Sequence, residues 1–217
     1  MLVNGEIYAC HHGKCRTKIR PANSATNFRS PAPSVKLVVD RGLIRKGQLI
    51  LEIGGGNLRN CLYVLKSVPG TVPFSYDLQH CINRFASNYK KYYALGGRIL
   101  PPDYSKIKFD IIICTYVLET ICPSRARIQI LKAINDALKK EGFLVASFRG
   151  HSGVFGTKYK KYPLGEGLIS PLNTFVKPFS LSDCVELLRA SKFKHIIFLE
   201  NYRVEKPQNI HILAQRG

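Results

Sequence analysis

The sequence is short of acidic residues and of long hydrophobic runs. Aspartate and glutamate total 14 against 33 lysines and arginines, which gives a formal charge of +19 over 217 residues. Such an excess favours polyanionic partners, above all nucleic acid, although a basic surface can also serve solubility alone. No run of about 18 apolar residues occurs, so no transmembrane helix or membrane partner is predicted. The N-terminus lacks the apolar core of a signal peptide, and we expect a cytoplasmic protein.

The remaining composition is that of an ordinary globular domain. Hydrophobic residues make up 45% of the chain and charged residues 22%, which excludes a collagen, a disordered tail and a coiled coil. The length fits one domain. We expect a basic N-terminal segment at 1–33 and a domain at 34–217 that carries an insertion at 149–179. Seven cysteines, several of them in apolar segments, indicate reduced thiols.

Strands and helices are predicted to alternate after an irregular segment at 1–32. This order predicts an α/β fold with a Rossmann-like, doubly wound sheet of about seven strands, mostly parallel, with an antiparallel C-terminal strand. The ligand site of such a sheet lies at the carboxyl ends of its strands. The predicted strands cover 48–53, 72–76, 96–100, 111–114, 143–148, 195–200 and 209–214, and the predicted helices cover 33–42, 57–67, 78–89, 123–140 and 181–191.

Three consecutive glycines, Gly54–Gly56, follow the first of these strands and precede a helix. Glycine permits positive φ angles and a close approach of a ligand to the backbone, and the start of the helix offers free N–H groups. A dinucleotide-binding loop would place a third glycine at position 59, which is Arg59, so NAD and FAD are not expected. Asp77 ends the next strand, where its carboxylate can accept both hydroxyls of a ribose or cap the following helix.

The segment LEIGGGN, followed by the strand-terminal Asp77 and later by FDIIICTYVLE, resembles the class I S-adenosylmethionine-dependent methyltransferases. The resemblance covers about residues 34–217 and implies S-adenosyl-L-methionine as the cofactor. It implies that the glycine loop passes under the methionine part of the cofactor, that Glu52 orients its amino end, that Asp77 binds the ribose and that Asp103 contacts the adenine. The implied cofactor-binding residues are Glu52, Gly54, Gly55, Gly56, Asn57, Asp77, Leu78, Asp103, Cys114 and Thr115.

A second resemblance concerns the segment that leads into this domain. Residues 16–56 are similar in layout to the methyltransferases associated with DNA phosphorothioate modification, which also begin with a basic Arg/Ser/Pro stretch and a short helix before the glycine strand. This resemblance strengthens the expectation of a nucleic-acid partner.

Three residues near the carboxyl edge are candidates for catalysis: Tyr116, Glu119 and His151. The fourth strand ends in Cys-Thr-Tyr-Val rather than in the Asp/Asn-Pro-Pro-aromatic motif of enzymes that methylate base amino groups, so that chemistry is not expected. A cytosine C5 mechanism would use a Pro-Cys pair, whereas this chain has the reverse order at 122–123. Packing, a surface position and an ordinary loop histidine are the alternatives for the three residues.

The insertion contains the sequence GTKYKKY at 156–162. Its lysines can meet phosphates and its tyrosines can stack on bases, so substrate binding is predicted for Lys158, Tyr159, Lys160, Lys161 and Tyr162; a solvated loop is the alternative. The predicted function is therefore methyl transfer to RNA, to DNA or to a nucleic-acid-bound target. A small-molecule or protein methyltransferase is one alternative, and a non-catalytic module that docks on a ribonucleoprotein or a partner enzyme is another.

Two cysteines and two histidines crowd into the motif Cys10-His11-His12-Gly13-Lys14-Cys15. A zinc site needs four tetrahedral ligands, usually in two separated pairs. No second pair lies nearby, so no metal site is predicted, and the role of this cluster stays open, as does the oligomeric state.

Overall fold

The computed structural model describes residues 29–101, 106–122, 124–154, 159–162, 166–171, 174–200 and 207–217, and the backbone of 2–3, 6–11 and 14–19. None of the helices in these ranges has both the length and the apolar character needed to cross a membrane.

The N-terminal region contains a small antiparallel sheet, which corrects the expectation of an irregular segment at 1–32. Its strands are β1 (Leu2–Val3), β2 (Glu6–His11) and β3 (Lys14–Ile19), and β2 lies between the other two. The prediction gave weight to the glycines and prolines of this region. Ile7, Tyr8, Thr17 and Ile19 are residue types that favour strands. The part at 20–28 lies outside the described residues.

The elements of the main domain follow in chain order. They include 3-10 helices at Leu118–Thr120 and His151–Val154. The helices and strands are α1 (Pro33–Asp40), β4 (Leu49–Ile53), α2 (Arg59–Ser67), β5 (Val72–Tyr76), α3 (Gln79–Arg84), α4 (Ala86–Ala94), β6 (Arg98–Ile99), β7 (Phe109–Thr115), α5 (Ser124–Ala137), β8 (Leu138–Arg149), β9 (Lys160–Lys161), β10 (Leu168–Ile169), β11 (Phe175–Val176), α6 (Leu181–Ala190), β12 (Lys194–Phe198) and β13 (Asn209–Gln215).

Seven strands form the main sheet in the order β12-β13-β8-β7-β4-β5-β6. Among the described strands of this sheet, β13 alone runs antiparallel to its neighbours. The predicted α/β class, strand number and antiparallel C-terminal strand are confirmed. The chain moves outward from β4 to β6 and then returns to β7 on the other side of β4, so the topological switch point lies between β4 and β7. Ligands of doubly wound sheets bind at this point.

The central strands are buried on both faces. Ile111, Ile112 and Ile113 of β7 are fully buried, as expected for a parallel strand covered by helices on each side. Residues of α5 and α6 belong to the core cluster on one face, and residues of α1 and α2 belong to the cluster on the other. These layers hold the carboxyl ends of β4 and β7 side by side.

Several helix boundaries differ from the prediction, and three of the differences have a clear structural reason. The helix expected at 78–89 is divided into α3 and α4 at Phe85, which packs with Leu58 and Tyr89. The helix expected at 123–140 ends at Ala137, because Leu138 already pairs with β7. The helix expected from 57 begins at Arg59, since Leu58 has the left-handed φ of 61°.

Candidate cofactor and acceptor site

The glycine loop closes the carboxyl end of β4. Gly54 and Gly56 have φ angles of 71° and 53°, and the N–H of Gly54 donates to the carbonyl of Tyr76 at 2.8 Å. A Cβ atom on Gly54 would collide with Val117, and one on Gly55 would collide with Ser75. A Cβ on Gly56 would meet nothing closer than the carbonyl oxygen of Gly54 at 3.9 Å. The loop therefore packs tightly at Gly54 and Gly55, and it leaves room for a ligand at Gly56.

Asp77 faces this loop from the end of β5. Its Oδ2 accepts the N–H of Gly56 at 2.5 Å, and its Oδ1 accepts the N–H of Leu78 at 2.7 Å. Each carboxylate oxygen keeps acceptor capacity for a further donor. The N-cap of α3 is Leu78 and has no side-chain cap bond, so the alternative in which Asp77 caps the helix is wrong. The structure brings Asp77 and the glycine loop together, as the sequence spacing predicts.

Glu52 lies inside the protein, beneath the loop. Its Oε1 accepts Nδ2 of Asn60 at 2.7 Å, and its Oε2 accepts the N–H of Cys61 at 3.2 Å. Asn60 also donates to Oγ1 of Thr115 at 3.0 Å and accepts the N–H of Ala32 at 2.8 Å. Burial raises the pKa of Glu52 from 4.5 to about 7. This buried network joins α1, α2, β4 and β7 under the candidate cofactor site.

The sequence reasoning did not identify Asn60 or Leu58. Asn60 is a polar residue beside Cys61 on the buried side of α2, which was the available signal. Leu58 is fully buried although its φ of 61° is an outlier for a bulky residue. Its side chain packs with Cys61 and Phe85, and this packing holds the strained turn.

Arg59 and Asn57 complete the entry to α2. Burial lowers the pKa of Arg59, while the nearby Tyr116 and Glu52 act in the opposite direction. The N–H of Arg59 donates to Oδ1 of Asn57 at 3.3 Å, and the carbonyl of Asn57 accepts Nδ2 of Asn88 at 2.8 Å. Helix α4 is thereby tied to the glycine loop.

The other predicted cofactor residues differ in accessibility. Leu78 is 44% exposed beside Asp77. Cys114 and Thr115 are buried at the end of β7, and burial raises the pKa of the Cys114 thiol well above its usual range. Asp103 lies outside the described residues.

Tyr116 follows β7 with a φ of 59°. Its N–H donates to the carbonyl of Ser147 at 2.9 Å, its ring meets His211 edge-on at 6.4 Å, and the Arg149 guanidinium lies 6.0 Å from the ring centre. Burial raises the pKa of Tyr116 to about 12. A strained non-glycine residue at the ligand-binding edge of a sheet is an observation that points to function.

A buried hydrogen-bond chain lies near Tyr116. The hydroxyls of Ser34 and Ser147 are 2.7 Å apart, and Ser147 Oγ is 2.9 Å from Nδ1 of His211. Burial lowers the pKa of His211. These hydrogen bonds join α1 to β8 and β13, so polar contacts link the three elements that lie near Tyr116.

Glu119 lies three residues beyond Tyr116 and is only 2% exposed. Its backbone carbonyl accepts the N–H of Lys177 at 2.8 Å, which places it against the end of the insertion. Burial raises the pKa of its carboxyl from 4.5 to about 7, and Arg149 partly opposes this effect. Its Oε2 has no hydrogen-bond partner among the residues that the structure describes. A buried acceptor without a partner marks a position where a ligand donor would be bound.

The insertion contains β9, β10 and β11, which form a second small sheet. It is joined to the domain by an ion pair between Arg127 and Glu166 and by a contact of 3.7 Å between Lys177 and Asp183 of α6. Tyr162 is 4% exposed, packs edge-on against Phe175 at 5.1 Å and accepts the Cys122 thiol at 3.6 Å. Its ring therefore has no open face for stacking on a base.

The remaining residues predicted for substrate binding and catalysis differ in exposure. Lys160 and Lys161 are exposed and Tyr159 is half-buried, while Lys158 lies outside the described residues. His151 is half-buried, begins the 3-10 helix after β8 and contributes to a lowered pKa of Asp183. Within the described ranges, no group of three His, Cys, Asp or Glu side chains is arranged to hold a metal ion. The side chains at 10–15 are outside those ranges.

Comparisons with known proteins agree with this geometry at the level of fold. No protein-family model matches the chain, and no curated protein matches it. Many solved structures match it. A methyltransferase from Clostridium acetobutylicum that depends on S-adenosylmethionine superposes with a TM-score of 0.61 at 16% identity, over 85% of this chain and 91% of its own.

Two further solved structures are among the matches. The Burkholderia thailandensis 1,6-didemethyltoxoflavin-N1-methyltransferase, solved with its substrate and S-adenosylhomocysteine, has a TM-score of 0.56 at 16% identity over 84% of this chain and 76% of its own. The pyocyanin biosynthetic protein PhzM has a TM-score of 0.59 at 16% identity over 83% of this chain. The match spans 54% of PhzM, about half its length. The fold of this chain is that of the class I S-adenosylmethionine-dependent methyltransferases.

Proposed function

We propose that the protein is an S-adenosylmethionine-dependent methyltransferase. The observation that carries this proposal is the bond between Asp77 and the N–H of Gly56, because it puts a ribose-binding carboxylate beside an open glycine loop at the switch point of the sheet. Asp77 would hold the ribose hydroxyls, the loop would hold the methionine part and Leu78 would lie against the adenine. The bound cofactor would supply the electrophilic methyl group.

Glu119 is the acceptor-side carboxylate in this proposal. An in-line transfer requires that the nucleophile be aligned and that a proton on it be accepted. The free Oε2 of Glu119 can accept an N–H or O–H of the acceptor, and a pKa of about 7 suits proton acceptance near neutral pH. Tyr116 stands three residues before Glu119 in the sequence, directly after β7. In this proposal it would border the acceptor.

Nucleic acid is the proposed acceptor class, since the charge of +19 is the property that separates this chain most clearly from an ordinary globular domain. Lys160 and Lys161 are exposed on the insertion next to the acceptor side. A base would have to leave its stack to reach the 2%-exposed Glu119. The same buried position favours a small molecule as the second candidate.

The cofactor part of the proposal is tested by calorimetric titration with S-adenosylhomocysteine. We expect the wild type to bind and Asp77→Asn to bind about tenfold more weakly, because a charged acceptor of hydrogen bonds is lost. Asp40→Asn, at an exposed end of α1, is the matched control. Absence of binding to the wild type would overturn the proposal.

The acceptor part is tested with methyl-labelled S-adenosylmethionine and separate pools of RNA, DNA, protein and small-molecule extract. Label in RNA or DNA supports the proposed acceptor class, whereas label confined to the extract establishes the second candidate. Cofactor binding without label in any pool favours the docking module.

A further inference from the structure

The basic charge of the chain is distributed unevenly around the sheet. The segment at 54–109 contains eight lysines and arginines but two aspartates and no glutamate, whereas 110–217 contains nine acidic residues against sixteen basic ones. The first segment forms α2, β5, α3, α4 and β6, which is the half of the sheet outward from β4. Acidic residues that would neutralise a basic surface are therefore scarce on this half.

Exposed apolar side chains concentrate on the same half. Of the five large hydrophobic side chains that are exposed in the described part of the chain, four are Tyr76, Leu78, Tyr93 and Leu95. Tyr76 and Leu78 flank Asp77 at the proposed cofactor site. Tyr93 and Leu95 lie at the other end of α4, which at nine residues is roughly 13 Å long.

Helix α4 presents its lysines and Tyr93 to solvent in a fixed arrangement. Tyr89 and Tyr92 are buried on its inner side, and the Tyr93 ring lies 6.4 Å and 6.1 Å from their rings. Lys90 and Lys91 are exposed, and no carboxylate of the described residues lies within ion-pair distance of either. Tyr93 is thus a supported aromatic ring one turn after Lys90, while Lys91 extends the positive charge around the exposed side of α4.

We propose that this surface docks single-stranded nucleic acid. We name it the basic aromatic face and define it by Lys90, Lys91 and Tyr93. Lysines that follow a phosphate backbone and an aromatic ring on which a base stacks are the two features that single-strand-binding surfaces combine. The inference rests on the proposed nucleic-acid acceptor and adds where that acceptor is held: along α4, which is tied to the glycine loop through Asn88.

The test measures the fluorescence anisotropy of a labelled oligouridine RNA of about 16 nucleotides, a matching DNA strand and a duplex of the same length. We expect Lys90→Gln/Lys91→Gln to lower single-strand affinity and to reduce the slope of log K against log salt by about 1.4, since each phosphate contact contributes about 0.7. The matched control is Arg125→Gln/Lys132→Gln on α5, whose two side chains are also exposed.

Tyr93 separates stacking from charge. We expect Tyr93→Ala to weaken single-strand binding about tenfold with an unchanged salt slope, and Tyr93→Phe to bind like the wild type. Duplex binding should not respond to either change. Circular dichroism and the Tm of each variant verify that the fold is intact.

The outcomes distinguish this inference from the proposed function. If the wild type binds single strands and the lysine variant on α4 loses no more affinity than the control variant on α5, the basic aromatic face is overturned. The proposed nucleic-acid acceptor is not affected by that result. The basic aromatic face is also overturned if the protein binds duplex more tightly than single strands and if Tyr93→Ala leaves the affinity unchanged. A wild type that binds no strand at low salt overturns both this surface and the nucleic-acid acceptor, whereas the S-adenosylhomocysteine titration decides the cofactor separately.

Discussion

Two buried carboxylates on either side of the switch point behave differently despite the same pKa. Glu52, under the glycine loop, and Glu119, after β7, are both nearly inaccessible, and burial raises the pKa of each to about 7. Both oxygens of Glu52 accept hydrogen bonds from the start of α2, whereas Oε2 of Glu119 accepts none from the described part of the chain. The comparison teaches that a shifted pKa alone does not separate a structural carboxylate from one that is available to a ligand. The two kinds of carboxylate are separated by whether their oxygens already have hydrogen-bond donors within the protein.

The largest difference is expected when each carboxylate is replaced by an apolar side chain of similar size. Above pH 7, Glu52→Met should lower the free energy of unfolding by about 3 kcal/mol, because one N–H of the Asn60 amide and the N–H of Cys61 remain buried without the acceptor that Glu52 provides. Glu119→Met should be neutral or stabilising by about 1 kcal/mol, since it removes a buried carboxylate whose Oε2 has no partner among the described residues. Urea unfolding measures both, and equal losses would contradict the distinction.

The pH dependence of stability should show the property that the two residues share. Each carboxyl has a pKa of 4.5 when unfolded and about 7 when folded, so the folded state keeps a proton that the unfolded state loses. The resulting stabilisation is complete below pH 4.5 and is lost as the pH rises through about 7, by about 3 kcal/mol for each residue.

Single variants divide this pH effect between the two carboxyls. Urea unfolding at several pH values in that window should show a smaller slope for Glu52→Gln and for Glu119→Gln, and the smallest slope for the double variant. A wild type whose stability rises with pH across the window is the result that would refute the raised pKa values.

Catalysis should respond to Glu119 while cofactor binding does not. With the acceptor pool that takes up label, Glu119→Gln should lower kcat about 100-fold and leave the Kd for S-adenosylhomocysteine within about twofold of wild type. The wild-type kcat should rise with pH through about 7, because the ionised carboxylate accepts the proton. A variant that keeps this pH profile would assign the proton to another group.

The smallest effect concerns the network around Glu52. Asn60→Ala should cost about 2 kcal/mol of stability, because it leaves Glu52 Oε1 and the Ala32 N–H without their partner. Asn88→Ala removes a single bond to the Asn57 carbonyl and should cost below about 1 kcal/mol. Chemical denaturation compares the two, and similar losses would show that the network does not depend on Asn60.

Much of the sheet was predictable because its signals are local. The run at 48–53 ends in glycines, the apolar stretch before Thr115 has the pattern of a buried strand, and the spacing from Gly54 to Asp77 is set by one helix and one strand. The break at Phe85 and the early end of α5 were not predictable, since each depends on a partner from another element. The same holds for Tyr162, which looks like a stacking residue in the sequence and is buried against Phe175.

The sequence by itself determined the α/β class, the place of the glycine loop and the identity of the carboxylate that faces it, because periodicity and turn residues act over a few positions. The tertiary structure alone decided which carboxylates are buried and which are satisfied. Asn60 reaches Thr115 across 55 positions of the chain, and Glu119 meets the backbone of Lys177 across the insertion. Burial and hydrogen bonding depend on elements distant in sequence, and those two quantities set the pKa and the chemistry of a carboxyl group.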